Sequence, residues 1–274
     1  MKKLSIVLIF LVYITNLSFA HEVKYDGFSM PESVAEGKDG YIYVSEIGEK
    51  DKDGDGRISR IDKKGNITSF ATGLYDPKGI VFYKEKLYVT DRDVIIEVDT
   101  DGSWSVFGAT MAFPKTPVFL NDIDVDSNGN FFITDTGNFE TGGIVFKMNL
   151  VGDITVLFDE NTKNIKAPNG ILPIGNNKLL LLDWGGELFE ADTNTKKIKK
   201  IGDGFPGGDG LAINNESIYI SSWKEGKIYE YKKGTSKIIL DGFKAAADIA
   251  LTKDRTHLII PDMKAGTVTI YPLK

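Results

Sequence analysis

Five side chains scattered through the chain could hold a hard cation or move a proton: Glu32, Lys78, Asn121, Asn169 and Asp209. Each sits second in a similar short run, and a sixth run places Ala247 at the same position. The runs are Pro31-Glu32-Ser33-Val34, Pro77-Lys78-Gly79-Ile80, Leu120-Asn121-Asp122-Ile123, Pro168-Asn169-Gly170-Ile171, Gly208-Asp209-Gly210-Leu211 and Ala246-Ala247-Asp248-Ile249. Two carboxylates with amide oxygens suit a hard cation, Ca²⁺ above all, which takes oxygen ligands at about 2.3–2.6 Å. In a dry core, the same groups would each cost about 1–3 kcal/mol if left unpaired. Strand capping and channel water satisfy them equally well, so the pattern alone leaves both readings open.

Something must bring these runs to one place, and a repeat does so. Alternating runs rich in Ile, Val, Tyr and Phe follow each of them, as in Tyr41-Ile-Tyr-Val44, Lys86-Leu-Tyr-Val-Thr90, Phe131-Phe-Ile-Thr134 and Ser217-Ile-Tyr-Ile220. A third strand follows in every unit, and a fourth in five of them. No apolar 3.6-residue period appears after the first twenty residues, which predicts an all-β chain. The spacing runs from 38 residues between Asp209 and Ala247 to 48 between Asn121 and Asn169, the period of a four-stranded propeller blade. Six such units predict a six-bladed β-propeller over residues 21–274, as one domain. The last unit lacks a fourth strand, and Glu22-Val-Lys-Tyr-Asp-Gly-Phe28 matches the fourth strand of unit five, Ile238-Ile-Leu-Asp-Gly-Phe243. The N-terminal strand is therefore expected to join the last blade and close the ring, leaving no open sheet edge.

Residues 1–20 read as a signal peptide: Lys2 and Lys3, an apolar stretch from Leu4 to Leu17, then Ser18-Phe19-Ala20 with small residues at −3 and −1. The expected product starts near His21 and is exported, periplasmic or secreted. The chain carries a formal charge of −6, made more acidic once the two leader lysines are gone. That argues against nucleic acid and against anionic membrane after signal removal, and suits solubility and binding of cations or neutral solutes; a small-molecule partner and a monomer are expected. The chain has no cysteine and 2 histidines. Thiolate sites, disulfides, a three-His zinc site and a Ser-His-Asp triad are thereby disfavoured. Chemistry must come from carboxylates and amides.

Three further features stand out. Trp184 and Trp223 follow the second strands of units four and five, where they could wall a pocket or pack between blades. Glu46, Asp91, Asp135, Asp183 and Asp262 recur at second-strand ends, which favours turn capping. Asp51, Asp53, Asp55 and Asp62 occupy positions one, three, five and twelve of a calcium-loop-like stretch, with Gly56 at six. This stretch is either a second, structural Ca²⁺ site or a solvated acidic hairpin.

The aligned units resemble the regucalcin/gluconolactonase/luciferin-regenerating enzyme family of six-bladed propellers along essentially the whole mature chain. Pro31-Glu32-Ser33, Asn121-Asp122, Asn169-Gly170 and Asp209-Gly210 carry the resemblance, each in the matching blade. It implies Glu32, Asn169 and Asp209 as ligands of one divalent metal on the channel axis, most simply Ca²⁺, with Asn121 and Asp122 touching substrate. It also implies hydrolysis of a lactone or similar small ester, with Asp209 as ligand and general base and Asp122 as the alternative base. Phe119 departs from the family, which often has Arg there in members acting on sugar lactones. This shifts the expected substrate towards a more apolar lactone or ester. Asp135-Thr-Gly-Asn138 is also similar to NHL-type repeats, so a non-catalytic propeller binding a ligand or protein is the alternative.

Overall fold

The computed structural model describes residues 21–49, 52–162 and 165–273; the expected signal peptide lies outside them. Six four-stranded antiparallel sheets form the blades. The innermost strands are Pro31–Glu36, Pro77–Tyr83, Leu120–Val125, Pro168–Gly175, Gly208–Asn214 and, in the last blade, the short Ala250–Leu251. Each inner strand lies against the next around the ring, and the sixth returns to the first: the Asp248 amide donates to the Glu32 carbonyl at 2.9 Å. Closure follows the sequence expectation. Val23–Asp26 pairs antiparallel with Thr267–Pro272, Val23 opposite Ile270. The match to unit five extends to the hydrogen bonds, since the Phe28 amide donates to the Gly266 carbonyl as that of Phe243 does to Gly226.

Alternation along the strands sends apolar side chains to both faces of each blade, so every blade needs a neighbour. Six apolar clusters result, each shared between two adjacent blades. Phe131 of blade three is fully buried against Tyr83, Tyr88 and Phe107 of blade two, its ring 4.4 Å from that of Tyr88.

The recurring acids at second-strand ends are turn caps. Asp91 accepts from the Tyr75 and Asp76 amides, Asp135 from Val118, Phe119 and Gly137, Asp183 from Ala167 and Gly185, and Asp262 from Lys244, Ala245 and Ala265. Glu46 accepts from the Ser29 amide and is paired with Arg57 at 2.7 Å. Each cap fixes the loop that leads into its own blade's inner strand. Loop geometry at the channel mouth is thus set by buried carboxylates not available for catalysis.

Candidate functional site

At the start of five inner strands the pairing register shifts, between Pro31 and Val34, Pro77 and Ile80, Leu120 and Ile123, Pro168 and Ile171, and Gly208 and Leu211. These are β-bulges, and each holds two aligned positions: a first column of Glu32, Lys78, Asn121, Asn169 and Asp209, and a second column of Ser33, Gly79, Asp122, Gly170 and Gly210. Hydroxyls of the second strands replace the lost ladder bonds. The Ser33 amide donates to Ser45 Oγ at 2.9 Å, Asp122 to Thr134 Oγ1 at 2.9 Å and Gly210 to Ser221 Oγ at 2.7 Å.

The bulge aims the two columns differently. The first column lines a cavity of about 410 Å³ at one channel mouth, with Glu32, Lys78, Asn121, Asn169 and Asp209 all on its wall. The second column stitches neighbouring inner strands. Ser33 Oγ donates to Asp248 and accepts from the Ile80 amide at 3.3 Å; Asp122 accepts from the Ile123 amide at 2.7 Å and from Ile171 of the next blade at 2.8 Å. Asp122 is therefore a correction to the sequence reading. Its carboxylate is held by backbone amides and lines the cavity at the opposite mouth, with Asp124 and Asp248, away from Asn121 and the proposed substrate space.

The glycines of the second column mark close approach. A Cβ on Gly170 would lie 2.4 Å from the Asp209 carbonyl oxygen, and one on Gly210 2.3 Å from the Ile249 nitrogen. Gly170→Ala should thus wedge apart the strands that carry Asn169 and Asp209. We expect a loss of about 1–3 kcal/mol, the usual cost of overpacking, read as a lowered Tm; an unchanged Tm would refute the tight contact.

Electrostatically the cavity floor is poised for a cation. Burial, then the charge of Asp209, holds Glu32 well above the usual carboxylate range, with Lys78 pulling the other way. Burial, then Asp122, raises Asp209. Among the described residues, Glu32 Oε2 and Asp209 Oδ1 are buried without any hydrogen-bond partner. Asn121 donates through Nδ2 to Thr136 Oγ1 at 3.0 Å, leaving its carbonyl oxygen free of that bond. Two orphaned carboxylate oxygens beside two amides fit an oxygen-ligated divalent cation. No group of three or more acidic or histidine side chains with metal-holding geometry occurs among the described residues, so amides would have to complete the set.

Above the floor runs an aromatic arc. Phe119, Phe139, Trp184 and Trp223 follow one another with centroid separations of 4.7, 5.2 and 5.7 Å. Phe119, Trp184 and Trp223 thus do wall the pocket. Phe139 was not found from the sequence: it lies in a loop outside the repeat, with φ 69°. Met30, Ile47, Asp76 and Met263 were also missed. For these a signal existed. Met30, Asp76 and Phe119 immediately precede inner strands, and Ile47, Trp184, Trp223 and Met263 immediately follow second strands. Backbone bonds join these two sets of positions, as from the Ile47 amide to the Met30 carbonyl at 3.1 Å.

The calcium-loop reading is not supported as a unit. Asp62 lies beyond the strand Gly56–Ile61, at the opposite end from Asp53 and Asp55, where it accepts from the Lys64 and Asn66 amides in a hairpin turn. A strand here replaces the compact loop that would bring a twelfth residue back. Asp53 pairs with Arg92 at 2.8 Å, and Asp55 accepts from the Glu49 amide at 3.0 Å. Asp51 lies outside the described residues.

No protein-family model matches the chain. A curated relative, strictosidine synthase-like 13 of Arabidopsis thaliana, is 30% identical over 163 residues, which span 52% of this chain and 40% of the relative. Among solved structures, a gluconolactonase from Xanthomonas campestris superposes with a TM-score of 0.74 at 16% identity, covering 91% of this chain and 88% of that one. Regucalcin from Agrobacterium tumefaciens, described as a calcium-binding protein, gives 0.69 at 18% identity over 89% and 90%. A chain of a nidogen/laminin complex gives 0.67 at 18% over 81% and 84%. With six blades, a closed ring and these superpositions together, the chain has the six-bladed propeller fold of gluconolactonase, regucalcin and luciferin-regenerating enzyme.

Proposed function

We propose that the protein is a divalent-cation-dependent hydrolase of a lactone or similar small ester. The observation that carries this reading is the pair of buried, unpartnered carboxylate oxygens, Glu32 Oε2 and Asp209 Oδ1, on the floor of one open cavity. Leaving both oxygens unsatisfied is costly, and a bound cation would satisfy them together. Similarity of fold to gluconolactonases and to a calcium-binding regucalcin supports the same reading.

Glu32, Asn169 and Asp209 would hold the cation, preferably Ca²⁺ given the all-oxygen donor set. When bound, such a cation stabilises negative charge that develops on an ester carbonyl oxygen. Asp209 takes the proton of the attacking water at its carboxylate; burial, which raises its pKa above the ordinary carboxylate range, makes it a stronger base than an exposed aspartate. Asn121, anchored to Thr136, orients a substrate hydroxyl or carbonyl. The arc of Phe119, Phe139, Trp184 and Trp223 shields one side of the cavity from water. A lactone is an activated ester, so no covalent nucleophile is required.

The test is metal analysis of the purified protein, then a panel of sugar and apolar lactones with and without chelator. Hydrolysis that chelator abolishes and Ca²⁺ restores is the expected result. Protein that binds no divalent cation and is inert to every lactone would instead point to a propeller that only binds a ligand or protein, as the fold of the nidogen/laminin complex allows.

A further inference from the structure

Lys78 has no task in the mechanism above, yet it lies on the same cavity wall as Glu32 and is only 6% exposed. Its Nζ donates one hydrogen bond, to the Asp76 carbonyl at 3.1 Å, and forms no ion pair among the described residues. It sits 4.6 Å from the Phe119 centroid, at the start of the aromatic arc. Burying an ammonium with two donor hydrogens unused is costly, and three observations say what the site wants in return.

The first is charge balance. Glu32 is the floor carboxylate whose charge acts most on Lys78, and a divalent cation held by Glu32 and Asp209 would neutralise it; the next buried acid, Asp91, is engaged by the Tyr75 and Asp76 amides. The charge on Lys78 is then left without a floor partner. Asp76 is the other acid on the wall, but its side chain is half-exposed and screened by water. The second is the neighbouring surface: Phe119, Phe139 and Trp184 are joined edge to face, which offers a continuous apolar run of ring edges and faces rather than a polyol-binding wall. The third is the rim. Lys224 lies 4.9 Å over Trp184 and Lys264 3.9 Å over Trp223, so cations also flank the far end of the arc and favour entry of an anion.

We propose that the ligand of this cavity is an aryl-bearing carboxylate, its anionic group on Lys78 Nζ and its ring along the Phe119–Phe139–Trp184 arc. The hydrolase reading adds that the scissile ester or lactone of such a molecule lies over Asp209; recognition of anion and ring stands apart from that step. Lys78 is accordingly a specificity-determining residue, and it need not take part in bond cleavage.

Binding rather than turnover tests this. Ca²⁺-equilibrated full-length protein is titrated with phenylacetate, neutral phenylacetamide and gluconate, read by calorimetry and by the fluorescence of Trp184 and Trp223 in a Trp104→Phe background. Phenylacetate should bind more tightly than either comparator. Lys78→Met should weaken phenylacetate by about tenfold to a hundredfold, the worth of a charge-assisted hydrogen bond. It should leave phenylacetamide unchanged, and Lys78→Arg should recover much of the loss. The wild-type ranking needs no variant: preference for gluconate or phenylacetamide, or no phenylacetate binding, overturns the proposal. So does equal weakening of phenylacetate and phenylacetamide in a folded Lys78→Met protein. Failure of the hydrolase reading would show separately, as binding of phenylacetate without hydrolysis of any aryl lactone.

Discussion

Asp209→Ala is expected to abolish lactone hydrolysis and divalent-cation binding together while leaving the propeller folded. Loss of a positioned base alone removes about 10²- to 10⁴-fold in rate, and here the same carboxylate is proposed as ligand. Stability should move the other way. In metal-free protein, Asp209 Oδ1 is buried without a partner and its charge opposes those of Glu32 and Asp122. Deleting it removes an unsatisfied group that costs about 1–3 kcal/mol. We therefore expect the metal-free variant to melt no lower than the metal-free wild type, while the wild type alone is stabilised by added Ca²⁺. Calorimetric scans with and without Ca²⁺, beside a lactonase assay, check both halves. A variant retaining full activity would sink the assignment of Asp209.

The second large effect is on pH. Burial holds Glu32, Asp209 and Asp248 well above ordinary carboxylates, and pushes Asp122 up to about 7 and Asp124 up to about 8. The folded protein thus binds more protons than the unfolded chain between their two sets of pKa values. Stability from these groups is complete below the unfolded value near 4 and is lost as pH rises through the folded values. Surface acids with lowered pKa, such as Asp254, act below that range and define its lower edge. Metal-free protein should therefore lose Tm steadily from about pH 5 to about pH 8. Ca²⁺ requires the deprotonated ligands, so its stabilisation should grow over the same interval. A metal-free Tm that is flat or rising from pH 5 to 8 would contradict this electrostatic picture.

The repeat made much of this legible in advance. Superposing the six units placed Glu32, Asn121, Asn169 and Asp209 in one column because each blade is the same unit, and in the fold they share one wall. The Asn121-Asp122 dipeptide shows where that approach stops. Adjacent in sequence, the two side chains serve opposite mouths of the channel, because a bulge offset by second-strand hydroxyls turns one up and the other sideways. Nothing in the spacing encodes that turn. Phe139 was illegible for another reason: it comes from a loop with no counterpart in the other blades. Lys78 was visible but unassigned, since only the packing of blade three on blade two stacks its ammonium on Phe119. Asp62 failed because a spacing that suits a compact loop was instead drawn out along a strand.

The pairing of Val23 with Ile270 joins positions separated by nearly all of the described residues. Contacts of such sequence separation form late and at a high loop-closure cost. Glu32 lies only a few residues past that junction, and its carbonyl receives the Asp248 amide across it. The placing of Glu32 on the cavity floor therefore depends on a junction that only the last strand completes. A chain that ends before its last strand is expected to lose the seam against which Glu32 is placed, and with it the geometry of the proposed cation site.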